Sequence, residues 1–309
     1  MKKIIVLGLL ALILVVVVAC GVPSVQPPTQ PTATPVAITI TDDSGRSVSL
    51  AEKPQRIISF APSNTEILFT LGLGDKVVGV TEFCDYPEEA KAIEKIGGLE
   101  PNLEKVVSLS PDLILAIGGN PDLVAKVEEL KIPILVLDPK DLEGIFADIE
   151  LVGQATGAEP QAKKLIADLR GRVEAIVAKT KDVAIRPKVF YELDATDPTK
   201  PYTPGPGTWH DQLIELSGGM NIAAGAKSQW TQFSTEEIIA QDPEIIVLGD
   251  ALWGVTAEQV KERQGWSVIS AVKEGAIFPI NDNLISRPGP RIVDGLEALA
   301  RIVHPELFK

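Results

Sequence analysis

A chain of 309 residues, 45% of them hydrophobic, can bury the core of one large body or of two ordinary ones. Its formal net charge of −13 at pH 7 excludes a protein that grips nucleic acid through phosphate, which requires a basic surface. With two histidines and two cysteines it also lacks the ligands of a dedicated zinc or manganese receptor.

In chain order, "MKKIIVLGLLALILVVVVAC" comes first: Lys2 and Lys3 precede an apolar run from Ile4 to Ala19, which predicts an export signal over residues 1–19. The run falls short of the roughly 20 residues that a membrane span requires. It ends in Val17-Val18-Ala19-Cys20-Gly21, which resembles the bacterial lipobox, so Cys20 is expected to carry a lipid. Residues 20–36 contain "GVPSVQPPTQPTATP", whose prolines and lack of periodicity predict a semi-extended tether. Cys84 is then the sole thiol of the exported body, so no intramolecular disulfide can form, and it is expected to pack as a small hydrophobe.

The body alternates buried-strand runs with helical patterns. "RIISF" (56–60), "KVVGV" (76–80), "DLILA" (112–116) and "IPILVLD" (132–138) are apolar runs bounded by turn residues. "NTEILFTLGL", "LEKVVSLS" and "PDLVAKVEELK" between them carry helical spacing. Two helical stripes follow, divided near Gly157, and the second extends to about Lys181 without a strand signal. The alternation resumes with "KVFYEL" (188–193), "TWHDQLIELSGG", "STEEIIAQ", "EIIVLG" (244–249), "AIFPIN" (276–281) and a last helix from about Gly289 to Val303. The expected fold class is α/β: an N-terminal lobe over 37–158, a long rigid interlobe helix over 159–181 and a C-terminal lobe over 182–309, with mostly parallel sheets.

One unit occurs twice. "NLEKVVSLSPDLILAIGG" begins at Asn102 and its near-paraphrase "STEEIIAQDPEIIVLGDA" at Ser234, 132 residues on. In each, an N-cap residue starts a short helix, a proline (Pro111 or Pro243) stops it, and a buried strand follows. Glu104 and Glu236 sit at the same place in the first turn, where a carboxylate complements the helix dipole. As equivalent exposed carboxylates on two lobes they also form a matched pair that a basic partner could hold.

The ordered segments "RIISFAPSNTEILFTLGLGDKVVGVTEFCDYP", "NLEKVVSLSPDLILA", "IELSGGMNIA" and "SRPGPRIVDGLEALARIVHPE" resemble the helical-spine solute-binding proteins that deliver cobalamin, ferric siderophores or haem to ABC importers, cobalamin binders above all. The likeness runs from about Arg56 to the C-terminus. It implies two Rossmann-like lobes with the ligand in the cleft between them, a monomer, and a lipid anchor at the periplasmic or extracellular face of the cell membrane. It also implies that Glu104 and Glu236 dock on arginines of the permease.

The ligand stays open between a corrinoid, a ferric siderophore and haem. Phe83 and Trp230 match aromatic positions of cobalamin binders, and Arg291, assisted by Arg287, matches a polar anchor. Trp209, in a Pro/Gly-rich turn, and Trp253, just past a strand end where open α/β sheets bind ligands, are further ligand-binding candidates. Trp266 and Tyr86 are expected to serve packing. Where some cobalamin binders carry aromatics, this chain has Gly98-Leu99 and Ile117-Gly118. His210 and Asp211 are explained by a helix start, and "PGPGTW" lacks the lysine and spacing of a phosphate loop. No cofactor and no enzymatic activity are expected.

Overall fold

The structure, a computed structural model, describes residues 37–309; the expected signal segment, Cys20 and the tether lie outside them. The chain forms β1 (Ile38–Thr41), β2 (Ser47–Leu50), β3 (Ile57–Ser59), α1 (Pro62–Thr70), β4 (Val77–Val80), α2 (Leu103–Ser108), β5 (Leu113–Ile117), α3 (Pro121–Glu129), β6 (Ile134–Leu137) and α4 (Leu142–Thr156). After α5 (Glu159–Thr180) come β7 (Lys188–Glu192), β8 (Tyr202–Pro204), α6 (Trp209–Leu216), β9 (Met220–Asn221), β10 (Trp230–Gln232) and α7 (Thr235–Gln241). The last elements are β11 (Ile245–Leu248), α8 (Ala257–Lys261), α9 (Ser270–Glu274), β12 (Ile277–Pro279) and α10 (Ile292–Val303).

Two four-stranded parallel sheets share one topology. The first has the order β4-β3-β5-β6 and the second, read in the same direction, β9-β7-β11-β12. Both faces of each sheet are covered, which is why the strands are continuous apolar runs. Ile57, Leu113, Val189 and Val247 point into a core shared with α4, α5 and α10, while Ile58 and Ile114, or Phe190 and Ile246, pack on the outer helices of their own lobe. Trp266 is fully buried in that outer C-terminal core, edge-on to Phe190.

The duplication is deeper than the motif. Arg56 and Lys188 each precede or open the first core strand of a lobe, and each donates to the carbonyl at the end of the repeated helix, Leu109 or Gln241. Asp112 and Glu244 in turn accept the backbone N–H of Arg56 and Lys188. The helix ends turn through a left-handed residue directly before the proline, Ser110 at φ 48° and Asp242 at φ 49°. These contacts pin the C-termini of α2 and α7 to the starting ends of the strands, so their N-termini point toward the finishing ends.

α5 packs on α4 of the first lobe and on α6 and α10 of the second. Ala162, Leu169 and Ile176 recur along its buried seam, and Arg172 reaches Asp294 at 2.6 Å. One contiguous apolar core therefore crosses from lobe to lobe. The β1–β2 turn seals the open edge of β6: Asp43 N–H donates to Val136 O at 3.2 Å, and Asp42 accepts Val136 N–H at 3.1 Å.

Candidate functional site

In open parallel sheets ligands bind beyond the carboxyl ends of the strands. Here those ends converge. α1 and the loop at 81–87 follow β3 and β4, and they touch the segment 285–291 that follows β12. A Cβ placed on Gly289 would lie 3.4 Å from Ser63 O of the other lobe, so the two backbones meet closely there.

The junction is held by charge. Glu66, whose side chain is 1% exposed, accepts from Arg291 Nε at 2.8 Å and Arg291 Nη2 at 2.5 Å. Arg287 Nη1 donates to Asp85 Oδ1 at 2.6 Å and approaches Glu66 Oε1 at 3.4 Å. The Arg291 guanidinium lies over the Tyr86 ring, 3.8 Å from its centroid. Burial raises the Asp85 carboxyl, but the hydrogen bond and charge of Arg287 outweigh it and hold the group below the usual carboxylate range.

On the N-terminal side of the junction is a cavity of about 270 Å³ walled by Phe60, Pro62, Phe83, Leu99, Ile117 and Leu123, with no charged side chain in its lining. Phe83 is 47% and Leu99 84% exposed, so this apolar surface is open to a ligand. Aliphatic side chains stand where an aromatic might, and at Gly118 a Cβ would fall 2.2 Å from Asp138 Cγ, so a larger residue there requires the Asp138 side chain to swing aside. A cavity of about 360 Å³ lined by Lys188, Met220 and Gln241 lies at the starting ends of the C-terminal strands, away from this junction.

The C-terminal side is aromatic. Trp209 opens α6 behind the N-cap Thr208 and donates its indole N–H to Ile285 O at 2.8 Å. It stacks on His210, and Trp230 meets both rings edge-on at 6.2 and 5.4 Å. Trp230 reaches them because β10 pairs antiparallel with β8, a ladder that runs on through Gly205, where a Cβ would lie 2.4 Å from Ser228 O. His210 is buried, with its pKa lowered to about 3 by desolvation, so it stays neutral while Nε2 contacts Ser286 Oγ at 3.0 Å. Tyr191 donates to Asp282 at 2.6 Å beneath this wall.

The structure thus gathers Phe83, Trp209, Trp230, Arg287 and Arg291 around one junction. Trp253 ends the turn after β11, 86% exposed, and makes none of the ring contacts that join Trp209, His210 and Trp230. Glu104 and Glu236 are exposed at the second position of α2 and α7. Tyr86, expected to serve packing, is 45% exposed and carries Arg291 on its ring. Glu66 and Asp85 were not foreseen. The one sequence signal for Glu66 is a lone acidic residue amid the apolar "NTEILF", and the structure shows why it matters, because that turn is buried. Among the described residues, no three His, Cys, Asp or Glu side chains converge to hold a metal ion.

Residues 57–284 match the Peripla_BP_2 family, described as periplasmic binding protein. An uncharacterized ABC transporter substrate-binding lipoprotein of Bacillus subtilis, YvrC, is 34% identical over 277 residues, 88% of this chain and 87% of that protein. A cobalamin-binding protein of Halobacterium salinarum is 30% identical over 322 residues, 96% of this chain and 84% of that protein. Among solved structures, the periplasmic vitamin B12 binding protein BtuF of Vibrio cholerae aligns with a TM-score of 0.71 at 29% identity, over 83% of this chain and 98% of its own. A possible iron-binding, periplasmic solute-binding protein of Staphylococcus epidermidis aligns with a TM-score of 0.73 at 29% identity, over 82% of this chain and 100% of its own. With two like-wound lobes, a cleft at their strand ends and these relatives, the chain belongs to the periplasmic binding protein family.

Proposed function

We propose that this protein is the substrate-binding component of an ABC importer, and that it captures cobalamin or a related corrinoid between its lobes. The observation that carries the reading is the pairing of an uncharged apolar wall at Phe60, Phe83, Leu99 and Ile117 with an indole wall at Trp209 and Trp230. A corrinoid has a broad apolar ring face that such walls can clasp and amide arms that Arg287 and Arg291 can anchor. Trp253, exposed just past the end of β11, is kept in this reading as a further ligand contact. The likeness to the cobalamin-binding protein of Halobacterium and the vitamin B12 binding protein of Vibrio points the same way.

In this reading Cys20 carries the lipid that tethers the exported body to the cell membrane, and the body works as a monomer. The lobes are already joined by one core, so the ligand meets a preformed site and little binding energy is lost to ordering it. Glu104 and Glu236 then engage basic residues of the permease, with gain chiefly in orientation and on-rate. A ferric siderophore or haem is the second reading, favoured by the iron-binding description of the Staphylococcus protein. Against it, Arg287 and Arg291 are both paired with carboxylates, so among the described residues this junction does not offer the open basic pocket that suits anionic siderophores.

Calorimetric titration of the mature body with cyanocobalamin, ferric hydroxamate, ferric catecholate and haem tests this directly. A corrinoid dissociation constant below about 1 μM is expected. Binding of haem or a siderophore in that range, with none of cyanocobalamin, would transfer the assignment to the second reading.

A further inference from the structure

We infer that Glu66, with Asp85, is the specificity-determining residue of the cleft: it neutralises the two arginines before any ligand arrives and so turns the site against anionic ligands. Glu66 can play this part only if the cleft between the lobes takes the ligand, as proposed above.

Two adjacent guanidinium groups would ordinarily make a strong anion site, because the edge formed by Nε and one Nη binds a carboxylate or catecholate with two parallel hydrogen bonds. On Arg291 that edge is occupied, since Nε and Nη2 both donate to the Glu66 carboxylate. Arg287 spends Nη1 on Asp85 and Glu66. Two carboxylates face two guanidiniums, so the formal charge of the cluster is zero.

The carboxylate comes from the lobe opposite to both arginines and is 1% exposed, against 14% for Arg287 and 17% for Arg291. Water therefore cannot take its place, and an anionic ligand must compete with a bidentate partner that is already seated. Among the described residues nothing accepts from Arg291 Nη1, Arg287 Nε or Arg287 Nη2. Those donors suit neutral acceptors such as amide carbonyls. The ligand class selected is thus a neutral, amide-bearing molecule with a broad apolar face.

The test compares the mature wild-type body with Glu66→Gln and Asp85→Asn, using cyanocobalamin as the neutral probe and a ferric tris-catecholate as the anionic one. Glu66→Gln is expected to bind the ferric catecholate about tenfold or more tighter than wild type at low salt, with the gain shrinking as salt rises. Asp85→Asn, which alters a half-exposed carboxylate, should move the same affinity the same way by a smaller factor. A residue that merely braced the fold would lower both affinities together. Unchanged or weaker catecholate binding in a folded Glu66→Gln protein overturns the inference. Should that variant lack a cooperative melting transition, Asp85→Asn decides alone, and the absence of any gain there overturns it equally. If wild type fails to bind cyanocobalamin, the corrinoid reading falls, while the catecholate comparison still decides the role of Glu66.

Discussion

Asp148 illustrates what burial does to a single carboxyl group. It lies on α4, 1% exposed, with Oδ1 lacking a hydrogen-bond partner, and burial together with the neighbouring Asp43 pushes its pKa up to about 9. The unfolded chain releases the same proton near pH 4. Folding therefore takes up a proton between about pH 4 and pH 9, and this group makes stability fall as pH rises through that window. Asp148→Asn removes the ionisable group and keeps a donor for Asp43. Its unfolding free energy should exceed that of wild type by about 1–3 kcal/mol at pH 8, with the difference shrinking toward pH 4. Urea melts at both pH values check this, and an equal difference at each would show that the carboxyl does not titrate as argued. At this scale the sequence was only half legible. Arg291, Phe83 and Trp230 stand in recognisable segments, which is what offers them as candidates. Glu66 and Arg291 are 225 residues apart in the chain, and no local pattern tells one that it needs the other.

Among the elements, α10 shows how close approach overrides propensity. Gly295 sits in the interior of this helix, where alanine would ordinarily gain about 1 kcal/mol. A Cβ at that position would stand 2.4 Å from Leu284 O and 2.6 Å from Ile285 Cδ1, and the backbone atom cannot swing aside. Overpacking of this kind costs about 1–3 kcal/mol. Gly295→Ala is therefore expected to lower the melting temperature by about 3 °C or more, and a rise would mean that the 282–285 turn yields freely. Every strand at the centre of the two sheets was readable as an apolar run, because burial on both faces leaves no polar alternation to confuse. The strands that escaped have other reasons. β8, β9 and β10 hold two or three residues each, too few for any period to register. β1 and β2 alternate apolar and polar residues as a half-exposed hairpin does, but they follow directly on the proline- and threonine-rich tether and merge with it.

For the whole molecule, the repeated helix and strand disclosed a duplicated lobe, while the meeting of the two lobes at 285–291 could come only from the structure. The symmetry gives the paired glutamates their meaning. The C-termini of α2 and α7 are pinned at the starting ends of the sheets, so Glu104 and Glu236 both stand at the finishing ends, on the side of the molecule where the cleft opens. Reversing both charges, Glu104→Arg with Glu236→Arg, should reduce uptake by cells about tenfold or more while ligand affinity stays within about twofold. Undiminished uptake would reduce the pair to ordinary first-turn carboxylates. The tryptophans have a consequence of their own, which is optical. All four, Trp209, Trp230, Trp253 and Trp266, belong to the second lobe, so ultraviolet excitation lights the molecule from one side. Trp266 is sealed from solvent in the outer C-terminal core, whereas Trp230 and Trp253 meet water. Its intrinsic fluorescence therefore combines a blue-emitting buried indole with red-emitting exposed ones, and a ligand that covers Trp230 is expected to move the emission maximum toward the blue.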